Sequence, residues 1–216
     1  MIIRGKFWKH QCGAQNRRAD VILNILDEYK DAENLLIENY PAIGYRDLAT
    51  LNENGINVKE SELGVKFEDI TKTIFENLGF NVDEDLRKEL NTSKNKIDIL
   101  LNLGKGNVII VECKTVKEKR YDKFSSVSKQ IKSYVNLAKK NNLNVMKSLL
   151  IAPEFSDDFI NECDLEFEIN LSLITAESMV NILEGFRDSK LEAFPHQLLL
   201  KDVLIREDRI IKAISK

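Results

Sequence analysis

Glu112 and Lys114 close the stretch 108-VIIVECKT-115, six of whose eight residues are apolar, β-branched or cysteine. A strand of that composition is buried on both faces. A carboxylate and an ammonium placed there are costly unless they pair or hold a metal. Strand side chains alternate, so Glu112, Lys114 and Ile110 share one face while Cys113 points the other way, into the core. A second apolar run, 97-IDILLNL-103, is joined to the first by the hairpin loop 104-GKGN-107. Asp98 faces away from Ile97, Ile99 and Leu101 in that run. Carboxylates from two adjacent strands therefore converge on one spot, with an ammonium beside them. Such oxygen ligands suit a hard cation, Mg²⁺ or Mn²⁺, which would polarise a phosphoryl oxygen and lower the pKa of a bound water. Lys114 would stabilise charge on the phosphate or help generate hydroxide; if buried with a depressed pKa it would act as a base. The plainer alternative is a strand-end salt bridge between Glu112 and Lys114, with Asp98 a solvated edge residue.

Other elements must hold this pair of strands. Apolar spacing predicts a helix over about 15–39, interrupted by Pro41 and the segment 42–60, and a second over 61–78 with Ser61 as N-cap and Gly79 just past its end. Phe80–Val82 reads as a brief strand. A helix is predicted over about 126–140, then a strand at 145–152 ended by Pro153. An acidic helical turn, a strand near 165–170, and a helix from the Thr175 cap to about Phe186 follow. The tail from Pro195 reads as an amphipathic helix, although LLLKDVLI leaves a strand open. This order implies an α/β fold, a central mixed sheet with helices on both faces.

Asp98, thirteen intervening residues, then Glu112-Cys113-Lys114 resembles the PD-(D/E)xK nuclease superfamily, the restriction-endonuclease-like fold. The segment 64-GVKFEDITKTIFENLGFNV-82 is similar to the family's leading helix, with Glu68 at its glutamate. Gln130-Ile131-Lys132-Ser133-Tyr134 resembles its Q-xxx-Y element, whose two side chains share a helix face. Ile97 stands where the family name has proline, a position that is not a ligand. The resemblance covers about residues 61–183. It implies that Asp98, Glu112 and the Cys113 backbone carbonyl bind Mg²⁺, with Mn²⁺ as the alternative. It implies that Lys114 orients or activates water, and that Glu68 assists at the metal or holds a metal-bound water. Gln130 would support the site or, like Tyr134, touch the nucleic-acid backbone. The cleavage domain of type IIS restriction enzymes looks similar, including those split into two subunits.

Charge is segregated although the net is only -3. Lys114 to Lys140 holds nine Lys or Arg against Glu118 and Asp122, while 154–168 holds seven acids and no base. Lys117, Lys119, Arg120, Lys123, Lys129 and Lys132 are thus expected to track phosphates. The bland reading is a solvated helix face. Three widely spaced cysteines without a CxxC pair fit free thiols in a reducing compartment. No run approaches the ~18 apolar residues of a membrane span, so a soluble cytoplasmic protein without a membrane partner is expected. His10 and His196 lie in no ligand spacing, and no P-loop or GxSxG appears.

These features lead to an expectation: a Mg²⁺-dependent endonuclease hydrolysing double-stranded DNA, its core at 61–190, between an N-terminal helical extension (1–60) and an amphipathic tail (191–216). One such site cuts one strand, so a homodimer or a second catalytic or recognition subunit is implied. A non-catalytic module of the same fold, docking on DNA or protein, is the alternative; an RNA-directed nuclease is a third.

Overall fold

The computed structural model describes residues 4–117, 120–166 and 168–215, with side chains described from Val21 onward. The chain divides into two compact units, Met1–Glu38 and Asn39–Lys216. The first contains one long helix, α1 (Arg4–Glu38). It starts well before residue 15, because its polar first half carries no apolar stripe for periodicity to detect.

The second unit opens with two short helices, α2 (Tyr40–Gly44) and α3 (Leu48–Glu53), within the stretch expected to be irregular. Pro41 is accommodated in the first turn of α2, where a backbone N–H has no intrahelical partner. Asp47 caps α3 by accepting from Thr50 N at 3.1 Å. A 3₁₀ turn at Glu60–Glu62 precedes α4 (Leu63–Asn77), so Ser61 lies inside that turn and does not cap the helix. One face of α4 buries Phe67, Ile70, Thr71, Ile74 and Phe75. Gly79 follows with φ +85°, a left-handed stop that only glycine adopts freely. Helix α5 (Glu84–Leu90) was not anticipated; it is too short for a periodic stripe, and the Asp83 cap, accepting from Leu86 N at 2.9 Å, marks its start. Phe80–Val82 contributes only an isolated bridge, Val82 to Leu101.

Four strands form a mixed sheet in sequence order: β1 (Ile99–Gly104), β2 (Asn107–Cys113), β3 (Asn144–Ala152) and β4 (Leu171–Thr175). β1 runs antiparallel to β2; β2 and β3, and β3 and β4, are parallel. The β1–β2 hairpin turns on Lys105 and Gly106, both at positive φ (+53° and +75°), a turn whose twist matches that of the strands. Helices α6 (Phe124–Lys140) and α7 (Asp157–Leu165) carry the chain between the parallel strands. Helix α8 (Ala176–Arg187) leaves β4 through the expected Thr175 cap.

β2 is buried at every position from Val108 to Cys113, as its composition predicts. Val108 and Ile110 meet Val127, Ile131 and Tyr134 of α6 in one apolar cluster that also takes in Phe159 and Cys163 of α7. Cys113, on the opposite face, meets Thr71 of α4, Sγ to Oγ1 at 3.6 Å. Helices thus cover both faces. The strand expected near 165–170 begins later, because α7 runs through Leu165 and Ile169 serves as a core plug. In the tail, Leu204 bridges Leu173, with Leu173 N donating to Val203 O and Ile205 N to Leu173 O; among the described residues only α9 (Glu207–Ile214) is α-helical there. Among the described residues no helix is long and apolar enough to cross a membrane. The α/β sheet with flanking helices and a helical N-terminal region is the arrangement expected.

Candidate functional site

The hairpin places the first two carboxylates. The register pairs Ile99 with Val111, so one step back Asp98 faces Glu112 from just before β1. Asp98 Oδ2 accepts from the Cys113 backbone N–H at 2.8 Å, which fixes its carboxylate against the end of β2. Glu112 is 1% exposed. Its Oε1 accepts from Lys114 Nζ and from Gln130 Nε2, the latter at 2.7 Å. Its Oε2 is buried with no hydrogen-bond partner. Across the register stands Asp98, whose charge opposes ionisation of Glu112.

Helix α6 supplies the clamp. Gln130 and Tyr134 stand one turn apart on its buried face, and Gln130 Nε2 also lies 2.6 Å from the Tyr134 hydroxyl. Tyr134 in turn donates to the Lys96 carbonyl, two residues before Asp98. The tyrosine therefore ties α6 to the entry of β1 and sets the rotamer of Gln130. It is 2% exposed, which leaves little surface for the expected contact with a nucleic-acid backbone; the apolar face it belongs to is the one that packs on the sheet.

Burial raises the pKa of Glu112, and the Asp98 charge raises it further. Burial also raises Asp98, opposed by the Cys113 N–H and by Lys114. Glu68, on α4 one turn before Thr71, is pushed up to about 7 by burial and by Asp98. Burial by itself would lower Lys114, but Glu112 and Asp98 outweigh it and raise its pKa. The shift is thus upward, opposite in direction to the depressed value that a basic lysine would need. Three carboxyl groups thus resist ionisation together, the electrostatic signature of a place short of positive charge. Among the described residues no three His, Cys, Asp or Glu side chains gather closely enough to hold a metal by themselves. Asp98 and Glu112 are the close pair, and Glu68 acts on them through the field.

The basic candidates divide. Lys117 binds Glu60 at 2.8 Å and Arg120 binds Glu154 at 2.6 Å. Lys132 is held by Glu168 at 2.6 Å and Glu166 at 3.3 Å, which turns it toward the acidic segment. Lys123 and Lys129 are exposed. Lys119 lies outside the described residues. Thr115, Val116, Lys117, Arg120, Tyr121, Asp122 and Lys123 line a cavity of about 260 Å³ directly after Lys114. Two supporting groups carry no sequence signal: Thr71, whose hydroxyl joins Cys113 to Tyr40, and the Lys96 carbonyl.

The fold and site define an α/β protein with a buried, charge-deficient carboxylate pair at the end of its central hairpin. No protein-family model matches the chain, and no curated protein matches its sequence. Among solved structures, the restriction endonuclease FokI is similar at a TM-score of 0.46 and 14% identity, over 61% of this chain and 26% of that one. The chain thus spans about a quarter of that protein's length.

Proposed function

We propose that the protein is a metal-dependent endonuclease that hydrolyses DNA phosphodiester bonds. The observation that carries this reading is Glu112 Oε2, a buried carboxylate oxygen with no hydrogen-bond partner among the described residues, on a side chain that pairs with the Lys114 ammonium and stands across the hairpin register from Asp98. Lys114 and Gln130 both take Oε1, which leaves Oε2 without a donor among the described residues. Asp98, Glu112 and the Cys113 carbonyl would hold Mg²⁺ or Mn²⁺; one or two carboxylates completed by water is the usual protein share for Mg²⁺. A bound ion supplies Lewis-acid stabilisation of the phosphoryl oxygens and a more acidic water.

The chain's own residues do the rest. Lys114, kept cationic, orients the attacking water and stabilises charge developing on the phosphate, while its proton stays on Nζ. Gln130 holds Glu112 in one rotamer, and Tyr134 holds Gln130. Glu68, whose pKa burial and Asp98 push up to about 7, steadies a water at the edge of the site. Lys123 and Lys129, both exposed, would meet phosphates, a contact that positions without reading sequence. Water attacks phosphorus directly, with no covalent enzyme intermediate. One site cuts one strand, so double-strand cleavage requires a second copy or another subunit.

The test is supercoiled plasmid incubated with Mg²⁺ or Mn²⁺, against EDTA and Lys114→Ala. Metal-dependent nicking or linearisation lost in the variant supports the nuclease. Absence of both cleavage and metal binding sinks it. The Lys114–Glu112 ion pair favours a second reading, a docking module in which this cluster is structural; metal-independent DNA binding unaffected by Asp98→Asn would establish that instead.

A further inference from the structure

Helix α1 carries an exposed apolar stripe and a charge order that opposes its own dipole. Val21, Ile22, Leu23, Ile25, Leu26 and Tyr29 are each more than half exposed, Tyr29 at 73%. Val21, Ile22, Ile25, Leu26 and Tyr29 recur at i, i+1, i+4, i+5 and i+8, one continuous face, while Asn24, Asp27, Asp31 and Asn34 fall opposite. An isolated helix with such a face is at best marginally stable in water. The ends compound the problem. Up to residue 18 the sequence carries Arg4, Lys6, Lys9, Arg17 and Arg18 and no acid. Asp20, Asp27, Glu28, Asp31, Glu33 and Glu38 follow, against Lys30 alone. Cations thus sit toward the positive end of the macrodipole and acids toward the negative end; the first turn has no acid and the last no base.

We propose that α1 is a self-association element that pairs antiparallel with α1 of a second copy. A two-fold axis near Ile25 lays the apolar stripe on itself. It also sets the basic half of each helix level with the acidic half of the other, Arg17 and Arg18 near the level of Asp31. Parallel pairing would align like charges along the whole length. Antiparallel pairing reverses both faults, because each acidic C-terminal half lies beside the partner's N-terminal half and the two dipoles oppose. The apolar stripe supplies affinity and the charges choose the direction. The contact is isologous and closes as a dimer.

Sedimentation velocity on the full chain tests this without reference to cleavage, so its outcome is separate from that of the nuclease reading. The expected result is a dimer that becomes a monomer in Ile22→Glu/Ile25→Glu with the far-UV circular dichroism of the second unit retained. Arg17→Glu/Arg18→Glu should raise the dissociation constant roughly tenfold or more. In a Cys12→Ser background, Ile25→Cys should form an interchain disulfide on oxidation and Asp31→Cys should not, because only near the axis do equivalent residues meet. A monomer at every concentration, or a dimer indifferent to the Glu substitutions, overturns the proposal. Cross-linking through Asp31→Cys overturns the antiparallel arrangement.

Discussion

Gln130 Nε2 stands 2.7 Å from Glu112 Oε1 and 2.6 Å from the hydroxyl of Tyr134, so a single amide fixes the buried carboxylate to helix α6. Gln130→Ala would release that carboxylate to rotate toward Lys114 alone. Metal-dependent cleavage should fall by about 10- to 100-fold, as when groups that orient metal ligands are removed, while the melting temperature changes little. A Mn²⁺ titration of plasmid nicking checks this, and unchanged activity would remove Gln130 from the site. Tyr134→Phe, which keeps the packing, should cost less.

The charge of Asp98 raises the pKa of Glu112 across the hairpin, and the stability of the protein should reveal it. Asp98→Asn keeps an acceptor for the Cys113 N–H while removing one charge. We expect the EDTA-treated variant to be about 1 kcal/mol more stable than the parent, by relief of a buried like-charge contact. Mg²⁺ should raise the melting temperature of the parent and leave the variant unmoved, since only a binding-competent native state is stabilised by mass action. Thermal melts with and without Mg²⁺ decide the point.

Lys147 lies on β3 at 5% exposure, and burial lowers its pKa, partly opposed by Asp202. The native state therefore binds fewer protons than the unfolded chain between the lowered value and the ordinary lysine range. By linkage, stability rises as pH climbs through that window, because the cost of burying an ammonium disappears. Lys147→Met should be more stable at pH 7 by about 1 kcal/mol and should lose the extra gain at alkaline pH. Urea melts at neutral and alkaline pH measure both.

Gly44 ends α2 where that helix meets the site. A Cβ there would stand 2.7 Å from the ring of Pro153 and 2.8 Å from that of Phe67, and the Gly44 carbonyl accepts from Val116 N at 2.9 Å. Gly44→Ala should cost about 1–3 kcal/mol by overpacking and weaken the hold on the loop after Lys114. Chemical denaturation gives the first figure, and a parallel drop in nicking rate would give the second. A stable variant would show that α2 yields freely.

The sequence by itself determined the strands and what they could carry. Apolar runs with period-two alternation placed Glu112 and Lys114 on one face of β2, and the Gly-Lys-Gly-Asn turn set Asp98 across from them. Gln130 and Tyr134 were legible as one face of α6 through their four-residue spacing. Short elements were not: α2, α3 and α5 hold too few residues for a periodic signal, and the onset of β4 was settled by where α7 ends. Only the tertiary structure decided which basic residues are engaged in ion pairs, because Lys117, Arg120 and Lys132 found acids distant in the chain. It also decided that Tyr134 is buried and that the pKa of Lys114 is raised by its carboxylate neighbours. A pattern of residue types fixes which groups share a face. Burial depth and the field at each group depend on partners brought together from far apart in sequence, and local spacing carries no record of them.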